Sequence, residues 1–173
     1  MSETTRIPPD LSPAEVLAIA IRAEIEAREI YHRMVEKVVN ESLQTRLRFL
    51  EQEEEIHRKV LEDVFRDKFP EIELVLPERT RIPKIDVAIS ENSTIEELLE
   101  VAMEWEKMSG EFYEELSTKA TDHGSKAILI SLSASEWGHY HLIKSEFDLV
   151  KAFPSYACTK DYNMGEDSLH IGP

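Results

Sequence analysis

Two stretches, Leu50-Glu51-Gln52-Glu53-Glu54-Glu55-Ile56-His57 and Leu132-Ser133-Ala134-Ser135-Glu136-Trp137-Gly138-His139, hold Leu, Glu and His at the same spacing, 82 residues apart. The same offset pairs Leu17 with Leu99, Ala20 with Ala102, Glu24 with Glu106, Tyr31 with Tyr113, Leu47 with Leu129 and Phe65 with Phe147, with no gap. Core-type residues recur every three or four positions around these anchors, the period of one helical face. Four stripes result. They run Leu17, Ala20, Ile21, Glu24, Ala27, Tyr31, Val35, Val38; then Leu43, Leu47, Leu50, Glu54, His57, Leu61, Phe65; then Leu99, Ala102, Glu106, Ser109, Tyr113, Leu116; then Leu129, Leu132, Glu136, His139, Ile143, Phe147.

Helix punctuation agrees with the stripes. Ser12-Pro13-Ala14-Glu15 reads as an N-cap, a proline at the first helical position and a glutamate returning a bond to the cap. Asn40 or Ser42 opens the second helix, which ends near Phe69-Pro70, and Ser93-Thr94-Ile95-Glu96 reads as another capping box. Residues 71–92 carry prolines and short β-branched runs, so they read as an irregular crossover that joins two parallel helices. The expected architecture is all-α: a four-helix bundle of two duplicated helix pairs, 12–69 and 93–150. The bundle domain spans 1–153, and 154–173 is a short irregular tail.

Composition narrows the function. The chain has 173 residues, 42% hydrophobic and 32% charged, enough for one good core. A formal charge of −15 disfavours nucleic acid and anionic lipid as partners. Cys158, the only cysteine, forms no internal disulfide and no four-cysteine metal site, which fits a reducing cytoplasm. Met1 to Pro9 lacks the apolar segment of a signal peptide, and no run approaches the roughly 18 apolar residues of a membrane span.

Four glutamates interrupt the core-facing stripes, and an unpaired buried carboxylate costs several kcal/mol. Something must compensate them. Glu24 and Glu106 from two helices, with Glu54-x-x-His57 and Glu136-x-x-His139 from the others, form the ligand set of di-iron and di-manganese carboxylate bundles. Residues three apart lie about 60° around a helix and one turn along it, so each Glu/His pair reaches inward together. Four carboxylates balance two divalent cations, and mixed oxygen and imidazole donors suit iron or manganese. Glu29-x-x-His32 has the same spacing but falls off the inward stripe, and Glu114 stands where His32 would repeat; it reads as a surface pair. Tyr31 and Tyr113 read either as core residues with the hydroxyl on a neighbour or as hydrogen-bond donors to a ligand carboxylate. Trp105, Trp137 and Tyr140 read as packing residues.

The residues Ala20-Ile21-Arg22-Ala23-Glu24 through Tyr31, Glu54-Glu55-Ile56-His57, Ala102-Met103-Glu104-Trp105-Glu106 through Tyr113, and Glu136-Trp137-Gly138-His139 resemble the rubrerythrins of the ferritin-like superfamily. The resemblance covers about residues 12–150. It implies that Glu54 and Glu136 bridge two irons, Glu24 and Glu106 are terminal ligands, His57 and His139 bind one iron each, and Tyr31 and Tyr113 hydrogen-bond to those carboxylates. Manganese or zinc are the expected substitutes. Typical members add a rubredoxin module with two Cys-x-x-Cys pairs, which Cys158 cannot supply, so a separate donor such as a rubredoxin must deliver electrons. Peroxidase members also carry a further glutamate one turn along the third helix; here Ser109 stands there, matching Ala27, and Gly110 beside it leaves room for an oxidant. The expected function is a cytoplasmic, dimeric non-haem di-iron oxidoreductase that reduces hydrogen peroxide or dioxygen. The alternatives are a ferroxidase that handles iron and a non-catalytic metal-binding bundle.

Overall fold

The computed structural model describes residues 11–78 and 93–159. Four helices, α1 (Pro13–Lys37), α2 (Glu41–Lys68), α3 (Ile95–Lys119) and α4 (His123–Ala152), make up nearly all of it, and no strand occurs among the described residues. Each helix starts on a side-chain cap that satisfies an otherwise orphaned amide. Ser12 accepts from the Glu15 amide, Asn40 from Leu43, Thr94 from Glu97 and Asp122 from Ser125. The α3 box therefore sits one residue later than Ser93 and Glu96 suggest. Both registers satisfy the motif, and the observed one puts Leu98, Leu99 and Ala102 inside. All four caps then obey the 82-residue offset, Ser12 with Thr94 and Asn40 with Asp122.

Helices α1 and α2 pack as one antiparallel pair and α3 and α4 as another, with α1 beside α3 and α2 beside α4. The start of α1, the ends of α2 and α3 and the start of α4 surround one apolar cavity of about 540 Å³, lined by Leu17, Leu61, Leu116 and Leu129 among others. Helices α2 and α3 thus finish at the same end, parallel, which is the arrangement a long crossover permits. The first part of that crossover is irregular as expected, and its Leu74 and Leu76 pack on the core. The remainder of the expected crossover, with Pro83, lies outside the described residues, as do the N-terminal segment Met1 to Pro9 and the tail from residue 160.

The described part of the tail is not merely irregular. Tyr156–Cys158 forms a 3-10 turn whose Tyr156 and Ala157 are buried. The Ala157 carbonyl accepts from the Val39 and Asn40 amides at 3.1 and 3.3 Å, closing the α1–α2 turn.

Two apolar clusters divide the interior. One, around Met34, Leu43, Leu47, Leu98, Leu99 and Ile143, fills the end nearest the tail; the other, around Ile21, Leu61, Phe65, Phe112 and Leu132, fills the cavity end. Between them the core turns polar. No described helix is long and apolar enough to cross a membrane.

Candidate metal centre

Every helix contributes to the polar layer. Glu24 from α1, Glu54 and His57 from α2, Glu106 from α3 and Glu136 and His139 from α4 are all buried, and Glu54 has no exposed surface at all. The ligand atoms of Glu54, His57, Glu136 and His139 lie within 4.8 Å of one another. The imidazoles stack with centroids 5.4 Å apart.

The carboxylates divide into two kinds by what they face. Glu136 places Oε1 2.8 Å from His57 Nδ1 and Oε2 3.7 Å from His139 Nδ1. Glu54 likewise places Oε2 3.4 Å from His57 Nδ1 and Oε1 3.2 Å from His139 Nδ1. Each of these two addresses both imidazoles. Glu24 approaches only His57, at 3.6 Å, and Glu106 only His139, at 3.4 Å.

These approaches are close enough for ion pairs but not aligned as hydrogen bonds. Seven buried side-chain polar atoms among the described residues lack a hydrogen-bond partner, and six belong to this layer: both Glu54 oxygens, His57 Nδ1, Glu106 Oε2, Glu136 Oε1 and His139 Nδ1. Buried polar atoms are nearly always bonded, so six orphans converging on one point fit a bound cation pair. The donor set fits as well: hard oxygens and imidazole nitrogens, with no thiolate. No Lys or Arg among the described residues pairs with these four carboxylates.

Protonation shows the same unmet charge. Burial, then the charge of Glu106, pushes Glu54 up to about 8, and burial with Glu54 and Glu106 pushes Glu136 well above the usual carboxylate range. For Glu106 burial acts upward too, but Glu136 and His139 beside it outweigh that and hold it low. Burial works to lower both histidines; the surrounding glutamates win, raising His57 strongly and His139 to about 12.

The tyrosines cross over. Tyr31 of α1 donates to Glu106 Oε1 of α3, and Tyr113 of α3 donates to Glu24 Oε1 of α1. Burial and the adjacent carboxylate keep both phenols protonated. Each glutamate thus has one oxygen held by a phenol and the other left for the interior.

The rubrerythrin family profile matches residues 15–147. The chain belongs to the rubrerythrin family. Among solved structures, a hypothetical protein from Pyrococcus furiosus shares 30% identity with a TM-score of 0.76, over 88% of this chain and 95% of that one. No curated protein matches the sequence. In this family member all eight expected residues meet in one layer, whereas Glu29 and His32 are exposed and His32 turns to Glu51 on α2, 3.1 Å away.

One reading needs amendment. Gly110 does not leave open space: a Cβ there would lie 3.0 Å from Trp137 Nε1, because the indole covers it, and Ser133 Oγ donates to the Gly110 carbonyl at 2.9 Å. Trp137 is a packing residue, edge-on to Tyr140. Sequence reasoning also missed two polar groups. Glu146 is buried with Arg46 and with Tyr156, whose hydroxyl donates at 2.9 Å, and Ser135 Oγ lies 3.1 Å from His57 Nε2. Ser135 stands out only as the residue before Glu136.

Proposed function

We propose that the protein is a non-haem di-iron oxidoreductase that reduces hydrogen peroxide or dioxygen, with electrons from a separate donor protein and two copies of the chain forming a dimer. The observation that carries the reading is the pair Glu54 and Glu136, each facing both imidazoles while Glu24 and Glu106 face one apiece. One iron would be held by His57 Nδ1 and Glu24, the other by His139 Nδ1 and Glu106, with Glu54 and Glu136 shared. When bound, such a pair supplies the two electrons that, with two protons, turn hydrogen peroxide into two waters.

The residues of the chain do the rest. The phenols of Tyr31 and Tyr113 stay neutral and hold one oxygen of each outer glutamate, so that the other is aimed inward. Glutamate suits the shared positions, since its carboxylate binds one cation or spans two. The apolar clusters above and below keep bulk water from the layer and strengthen its electrostatics.

The test is metal analysis followed by anaerobic titration of the reduced protein with peroxide, then with dioxygen. Two irons per chain and one peroxide consumed per iron pair, with a matching change in iron absorbance, is the expected result. No spectral change and no peroxide consumption overturns the enzyme reading. The −15 formal charge favours a second reading, iron oxidation for storage or transfer, because an acidic surface concentrates cations. More than two irons oxidised per chain would select it.

A further inference from the structure

Inside the layer the two halves match group for group, but outside it they do not. In both imidazoles Nδ1 faces the carboxylates, so Nε2 faces away from them. His57 Nε2 meets Ser135 Oγ of α4 at 3.1 Å. His139 Nε2 has no hydrogen-bond partner among the described residues, and the residue matching Ser135 at the 82-residue offset is Glu53, which forms no hydrogen bond with it.

An imidazole that ligates through Nδ1 carries its proton on Nε2, and a fixed acceptor there sets both tautomer and ring plane. For His57 that acceptor is Ser135 Oγ, reaching from α4 to α2. The His139 ring has carboxylates at Nδ1 but no acceptor behind Nε2 to fix its plane before a cation arrives. We propose that Ser135 is a positioning residue for His57 and that it makes the two cation positions unequal, the one at His57 binding more tightly and filling first. This rests on the paired-metal reading above.

Cobalt(II) added to the metal-free protein, followed by visible absorption and by proton NMR of the imidazole N–H groups, tests it. Wild-type protein should bind two ions, and the N–H of one imidazole should exchange with solvent about tenfold more slowly than the other. Ser135→Ala should make both exchange rapidly and weaken one binding step by about 10- to 100-fold, while Ser135→Thr, which keeps a hydroxyl, retains the slow N–H. If the wild type binds two cobalt ions but its two N–H groups exchange alike, or Ser135→Ala changes neither exchange nor affinity, the role of Ser135 is overturned and the metal centre stands. If the wild type binds no cobalt, both fall together. The wild-type comparison decides even if Ser135→Ala does not fold.

Discussion

Five glutamates are buried among the described residues, and they live in two different electrostatic worlds. Glu146, near the tail end of α4, is about as buried as Glu24 but sits against the Arg46 guanidinium and the Tyr156 hydroxyl. Glu24, Glu54, Glu106 and Glu136 have no arginine or lysine partner among the described residues, and their layer holds six orphaned polar atoms. Burial alone does not mark a metal ligand. A carboxylate with its own arginine is complete, whereas a group of carboxylates without one awaits charge from outside.

The sharpest way to break this contrast is at Glu54. Glu54→Ala should reduce bound metal from two ions per chain to one at most, read by metal analysis after gel filtration. In metal-free protein above pH 8 the sign reverses: Glu54→Gln removes a repelled buried charge and should raise the melting temperature. A fall there would mean the carboxylates are compensated within the chain.

The next effect is a pH slope. Glu54 and Glu136 have folded-state pKa values above their unfolded ones, so the native state holds protons more tightly. Their contribution is fully present below about 4.5 and is lost as pH rises through about 8. The raised histidines act in the same direction, from 6.5 upward. Urea unfolding of metal-free protein should therefore show declining stability from pH 5 to pH 8.5, and metal should flatten the decline. A rise over that range would contradict the charge accounting.

Smaller still, Glu146→Ala should cost about 1 kcal/mol in urea unfolding, by removing the buried carboxylate that accepts from the Tyr156 hydroxyl and from Arg46, with bound metal unchanged. Glu29→Ala closes the series. It should shift stability by less than about 0.5 kcal/mol and leave metal content intact, since Glu29 is exposed.

The helices and the inward face of each were legible because the signals are local. The second helix is the clearest case: Leu43, Leu47, Leu50, Glu54, His57, Leu61 and Phe65 are all buried. The Ser93 box misled by one residue because two overlapping motifs compete, although the 82-residue offset from Ser12 points to Thr94. Glu146 was not legible. It takes the inward position three residues after Ile143, next to Phe147, which is only partly buried, and its partners stand 100 residues before it and 10 after.

From the sequence alone came the period of each helix, the first cap and the identity of the inward polar groups, since each depends on residues within a turn or two of one another. Tertiary structure decided which tyrosine serves which glutamate, that only one of two matched histidines has a hydroxyl behind it, and that the tail joins the core. Those contacts join residues 75, 89 and 78 positions apart and, for Val39 with Ala157, 118 apart. Helical periodicity states which way a side chain faces, and only the packing of one helix on another states what it meets there.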